Sequence, residues 1–265
     1  MPLKLATVLA HPDDETFGTG GTLIRYAKEA IEVHSLCLTE GEKGWAGPEG
    51  APIVPRELVG HTRAKELAEA GRRMGVASVT CLRYPDGGLA GVNAEWVVRD
   101  IVRWLRQVRP EVVIIWGPDG GYGHPDHIAA GERALKAIEL AGMQRHEPEL
   151  GRHWHAKRCY RFVAGAELID RLSSLMPPFA EYIETLAVKP QRWTRDRLGA
   201  VVDVRSVLDA KVRAMDAHQT QAPDLAMWAA ARARLPEIFA EETYIREYPE
   251  PGGAPLETDL FAELR

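Results

Sequence analysis

Two nearly continuous apolar runs, Leu5-Ala6-Thr7-Val8-Leu9 and Val112-Val113-Ile114-Ile115-Trp116, constrain this chain more than any other feature. A strand that is apolar at consecutive positions is covered on both faces, the condition of a parallel sheet held between helices. The sequence around these runs fits that arrangement. Strands are predicted at 4–10, 32–38, 77–83, 111–116 and 159–164, with helices at about 18–30, 58–74, 93–108 and 126–142 between them. Asn93 can cap the third helix and Pro110 stops it. The expected fold is α/β: a Rossmann-like, mostly parallel sheet with helices on both faces, right-handed crossovers and a C-terminal extension.

Each long apolar run ends in a polar cluster. Ala10-His11-Pro12-Asp13-Asp14-Glu15 follows the first, and Tyr122-Gly123-His124-Pro125-Asp126-His127 follows the fourth strand. Open α/β sheets bind ligands at the carboxyl ends of their strands, so the two clusters can converge on one divalent cation. A catalytic zinc site takes about three protein donors and leaves a position for water. His11 and Asp14 at a strand-to-helix turn, with His127 at the start of the fourth helix, can supply them. Two histidines and one aspartate suit Zn2+, with Fe2+ or another divalent ion left open.

These motifs resemble those of the PIG-L/LmbE-like family, the zinc-dependent N-acetylglucosaminyl deacetylases, over roughly the first 165 residues. Thr39-x-Gly41-Glu42, Arg63-x-x-Glu66-x-x-x-Ala70, Asp86-Gly87-Gly88-Leu89 and His218-Gln219-Thr220-Gln221 follow in the family's order. Met74-Gly75 stands where Leu-Gly is usual, a core exchange. The resemblance implies that His11, Asp14 and His127 hold the metal and that Asp13 is the general base toward the attacking water. It makes His124 an electrostatic stabiliser and acid to the leaving amine, and Tyr122 a donor to the oxyanion. Asp126 would orient His124, Glu42 and Arg63 would face the substrate, and His218 would cap the site or touch the substrate. The implied reaction is hydrolysis of the acetamido group of an N-acetylglucosamine-type amino sugar. An amidase acting on a larger acyl group or a thiol-sugar conjugate would use the same residues.

A non-catalytic nucleotide-binding protein is the reading from another class. Gly18-x-Gly20-Gly21 lacks the G-x-G-x-x-G spacing, and Asp13, Asp14 and Glu15 occupy the turn where a pyrophosphate would sit. Residues 39–57 form a Gly/Pro-rich loop of the kind that binds ligands, and its Trp45 either stacks on a sugar or folds onto the core. His34, His61, His146, His153 and His155 read as structural or surface residues.

With 265 residues the chain has room for a catalytic core over 1–165 and an extension over 166–265 that packs on the site within one domain. The extension carries a predicted strand at 200–204, helices at 206–218 and 224–234, and a connector at 248–256. Its terminal Leu260-Phe261-x-x-Leu264 stretch is expected to dock on the body or on a neighbouring subunit, so a homo-oligomer is left open. The net charge of −5 argues against a nucleic-acid partner. No apolar run approaches the roughly 18 residues of a membrane span. The direct start into a strand predicts no secretory signal. Three cysteines without a C-x-x-C pair read as buried free thiols, and a cytoplasmic location is expected.

Overall fold

A computed structural model describes residues 2–47, 52–175, 177–221, 238–250, 252–253 and 255–265. Among the described residues seven strands form one sheet: β1 (Lys4–Leu9), β2 (Glu32–Thr39), β3 (Ser78–Tyr84), β4 (Val112–Trp116), β5 (Arg158–Phe162), β6 (Ala200–Asp203) and β7 (Glu241–Tyr248). Their order is β3-β2-β1-β4-β5-β7-β6. The first five run parallel, while β7 pairs antiparallel with both β5 and β6. Leu5, Val8, Val113 and Ile115 are fully buried, as double coverage requires. The chain order reverses between β1 and β4, and a crevice opens at such a point. Both polar clusters leave the sheet there.

The short helices α1 (Asp14–Gly18) and α2 (Gly20–Lys28) follow β1, and α3 (Val59–Met74) and α4 (Ala94–Val108) follow β2 and β3. The Asn93 side chain accepts from the Glu95 N–H at 2.8 Å, the expected cap. α5 (Gly120–Gly123) is a kinked turn, and α6 (Pro125–Gly142) carries His127 in its first turn. The extension adds α7 (Ala166–Leu175), α8 (Pro177–Thr185) and α9 (Leu208–Met215). The predicted helix at 224–234 lies outside the described residues.

β7 is not legible as a strand. Its sequence, Glu-Glu-Thr-Tyr-Ile-Arg-Glu-Tyr, is too charged for an inner strand unless partners neutralise it. They do: the fully buried Lys211 ammonium lies 2.7 Å from Glu242, whose carboxylate also accepts the Gly21 and Thr22 N–H groups at the start of α2. The terminal stretch docks on the chain's own body. Leu260 and Phe261 are fully buried, Phe261 meets the Tyr26 ring edge-on at 5.0 Å, and the Leu260 N–H donates to the Tyr26 hydroxyl.

Cys37 and Cys159 are buried free thiols as expected; Cys81 is only half-buried because β3 is the edge strand of the sheet. Among the described residues no helix is long and apolar enough to cross a membrane.

Candidate active site

The crevice is built first from backbone. Asp14 starts α1, where its Oδ2 accepts the N–H groups of Ala10 at 3.0 Å and His11 at 2.8 Å and the Trp116 indole N–H at 3.3 Å. Its other oxygen lies 3.2 Å from His127 Nε2. The His127 ring is stacked on Trp116, with centroids 3.9 Å apart and planes 14° apart, and its Nδ1 donates to the Gly120 carbonyl at 3.0 Å. Gly120 sits at φ 61°, and a Cβ there would meet the His127 Cβ at 2.8 Å, so the approach of loop to histidine requires glycine.

His11 Nε2 faces the carboxylates of Asp86 at 3.1 Å and Asp126 at 3.3 Å, and its Nδ1 lies 3.1 Å from His127 Nε2. With His127 Nδ1 donating to Gly120 and His11 Nε2 to the carboxylates, a proton or a metal ion can lie between the two nitrogens that face each other. Asp14 lies beside both rings, its Oδ1 3.2 Å from His127 Nε2 and its Oδ2 3.9 Å from His11 Nδ1. Burial alone would lower the His11 pKa, but the hydrogen bonds to Asp126 and Asp86 and the charge of Asp14 lift it to about 10. Asp14 is held below the usual carboxylate range: His127 and His11 outweigh burial. In each of two clusters, His11-His124-His127 and His11-Asp86-Asp126, three possible donor atoms lie within 4.8 Å of one another, and these donor types fit a divalent metal ion.

Asp13 has an unusual backbone, φ 112° for a residue with a side chain, a conformation that costs on the order of 1–3 kcal/mol. The surrounding bonds hold it there. Its carbonyl accepts from the Thr16 and Phe17 N–H groups, and its N–H donates to Glu15 Oε2 at 3.0 Å. Burial raises the Asp13 carboxyl to about 6 against the opposing charge of Arg63, with Asp14 adding to the rise.

His124 caps α6 by accepting the Asp126 N–H on its Nδ1 at 3.2 Å, which leaves the proton on Nε2. Its ring centroid is 4.8 Å from that of His11 and 4.7 Å from that of His127. Burial, then the charges of His127 and His11, push its pKa down to about 4. The Tyr122 ring meets His127 edge-on at 5.2 Å. His11, Asp14, Tyr122, His124, Asp126 and His127 are thus brought together, with Asp13 on the same loop.

Several expected contacts differ. Asp126 does not hold His124 through its carboxylate. That group accepts the Gly87 and Leu89 N–H groups at 2.7 and 3.0 Å and faces His11, because the first turn of α6 points it toward the loop after β3. Arg63 is 4% exposed and bonds protein: the Gly41 carbonyl at 2.7 Å, the Pro12 carbonyl at 2.6 Å and Asp13 at 3.2 Å. Glu42 accepts the Asp86 N–H at 2.8 Å and so joins two loops. His218 is buried against Glu15 at 2.7 Å and supports the Asp13 loop from behind. Trp45 is half-buried, with its carbonyl accepting from Gln221.

Asp86, Trp116 and Asp119 escaped sequence reasoning as site residues. Asp86 carries a readable signal, since it follows β3 at the same edge of the sheet as the other clusters. Asp119 is buried and joins the Gly121 N–H to the Gln191 N–H and the Trp193 indole, contacts between distant segments that no local pattern announces.

A Rossmann-like sheet with a histidine-aspartate cluster able to hold a cation at its switch point, and a strained acid beside it, has the makings of a hydrolase centre. The comparisons with known proteins narrow the class. The family model "GlcNAc-PI de-N-acetylase" (PIG-L) matches residues 6–138, and the chain belongs to that family. A Rhodococcus opacus protein named 1D-myo-inositol 2-acetamido-2-deoxy-alpha-D-glucopyranoside deacetylase is 37% identical over 91% of this chain and 90% of its own length. The N,N'-diacetylchitobiose deacetylase of Pyrococcus horikoshii superposes with a TM-score of 0.69 at 19% identity, over 94% of this chain and 87% of that one. A 4-carboxy-2-hydroxymuconate hydratase of Pseudomonas putida KT2440 does so with a TM-score of 0.65 at 21% identity, over 94% and 98%. At those identities the two structures speak for the fold alone.

Proposed function

We propose that this chain is a zinc-dependent N-deacetylase that cleaves the acetamide of a 2-acetamido-2-deoxyglucoside, with a polyhydroxylated aglycone such as inositol favoured by the names of its relatives. The observation that supports the reading is the His11 Nδ1–His127 Nε2 pair, 3.1 Å apart, with Asp14 Oδ1 3.2 Å from His127 and Asp13 next along the chain; His11, Asp14 and His127 would hold the metal. When bound there, zinc supplies Lewis acidity and makes a water nucleophilic near neutral pH.

The chain's own groups do the rest. Asp13 takes the proton of the attacking water on a carboxylate oxygen and passes it to the amide nitrogen as the C–N bond breaks. Acetate and a primary amine leave. His124, with its proton on Nε2, and the Tyr122 hydroxyl donate to the oxygen on which negative charge develops. Asp86 and Asp126 keep His11 turned toward its partners, a support that commonly changes metal affinity by about 10- to 100-fold. Arg63, Glu15 and His218 hold the Asp13 loop.

The test is a panel of amides that share a glucosamine and differ in aglycone and acyl group, with acetate and free amine both quantified. Stoichiometric release, fastest for the glucosaminyl-inositol, supports the reading. Cleavage of larger acyl groups alone would replace the substrate, and inertness toward every amide would remove the deacetylase assignment.

A further inference from the structure

Two thiols lie side by side behind the His11 loop. Cys37 on β2 and Cys81 on β3 are register partners of adjacent parallel strands. Residues so paired point to the same face, and strands lie about 4.8 Å apart, within the Cα separation a disulfide needs. Both sulfurs rest on one oxygen: Cys37 Sγ and Cys81 Sγ donate to the Thr39 carbonyl at 3.2 and 3.1 Å. Immediately past Cys81 the ladder slips, so that Thr39 faces Tyr84, and Arg83 occupies the left-handed region at φ 61°. Such a bulge at an edge strand leaves the local backbone room to adjust.

We propose that Cys37 and Cys81 form a dithiol modification site which a hydroperoxide closes to a disulfide, lowering turnover at the neighbouring site. Cys81, half-buried on the edge strand, is the more accessible of the two residues, and Cys37 is buried. The Cys37 hydrogen bond, with the Arg83 N–H, favours the thiolate of Cys81 over the opposition of burial, while burial holds the Cys37 thiol up. The Cys81 thiolate attacks the peroxide O–O bond, giving a sulfenic acid and, after protonation, an alcohol or water. The Cys37 sulfur then attacks the sulfenic sulfur, the S–S bond forms and one water leaves. Two thiols and one peroxide are consumed. Cys159, on β5 and three strands from β2, is roughly 14 Å away and takes no part.

The link to the site is the Ala10 carbonyl, one residue before His11. It accepts from the Thr39 N–H and hydroxyl at 3.0 Å each and lies 3.5 Å from Cys37 Sγ. Closing the disulfide removes both S–H donors from Thr39 and moves this seam. The effect on turnover rests on the proposed deacetylase activity; the disulfide itself does not.

The experiment treats the purified metal-loaded chain with hydrogen peroxide, then maps peptides without reduction and assays amide cleavage before and after dithiothreitol. Loss of two hydrogens, a linked Cys37–Cys81 peptide, free Cys159 and a several-fold, reversible fall in turnover are expected. Cys81→Ser is expected to keep its turnover through the same treatment. Three unmodified thiols, a linkage to Cys159, or Cys81 accumulating as an unlinked sulfinic acid would overturn the site. A Cys37–Cys81 disulfide that leaves turnover unchanged would overturn its effect. The mapping needs no substrate, so failure of the deacetylase reading would be told apart from failure of the disulfide.

Discussion

His11 Nδ1 stands 3.1 Å from His127 Nε2, two imidazole nitrogens brought face to face across 116 residues of chain. Either a shared proton or a metal ion between the two nitrogens makes such an approach stable, and the carboxylates of Asp14, Asp86 and Asp126 around them favour a positive charge there. His127→Ala is expected to lower metal content well below one ion per chain while the fold survives, read by elemental analysis of dialysed protein. Unchanged stoichiometry would remove His127 from the ligand set.

Asp13 differs from its neighbour Asp14 in role, although the two share a turn. Asp14 is tied down by three donors, whereas the Asp13 carboxylate meets Arg63 and is partly open to solvent. Asp13→Asn should keep the metal and lose about 10²- to 10⁴-fold in kcat, the usual worth of a general base. Turnover near that of the parent with full metal content would end the assignment.

Arg63 spans three acceptors on two loops, a geometry the planar guanidinium can meet and an ammonium cannot. Arg63→Lys should lower kcat by at least about tenfold, and Arg63→Ala should also cost about 3 kcal/mol of stability by uncoupling a buried charge. Denaturant titration and steady-state kinetics read the two effects separately. A lysine variant with parental kcat would contradict the positioning role.

The first half of the fold was legible because β1 and β4 are buried on both faces and each is followed by a distinct polar cluster. Side-chain partners were less so. Arg63 and Asp126 announce charge, but which loop each meets depends on how α3 and the first turn of α6 sit on the sheet. β7 was hidden for a related reason: the burial of Glu242 depends on Lys211, 31 residues away, a pairing that no periodicity encodes.

His218 and Glu15 form a buried pair, and burial, which opposes the charged imidazole, is outweighed by Glu15, so the His218 pKa is raised. A group whose folded pKa lies above its unfolded value, near 6.5, stabilises most below that value and loses the contribution as pH rises through the folded pKa. The Tm difference between the parent and His218→Gln should thus be largest near about pH 6 and shrink as pH is raised through the folded value. A difference that grows with pH would reverse the assigned charge state.

The most direct test strips the protein of metal with a chelator, restores zinc in stoichiometric steps, and follows acetate release from a glucosaminyl-inositol amide. Release that is lost on chelation and regained in proportion to zinc, reaching its plateau near one ion per chain, is the expected result. Full activity in the stripped protein, or zinc binding without any acetate from any amide, would contradict the role assigned to His11, Asp14 and His127.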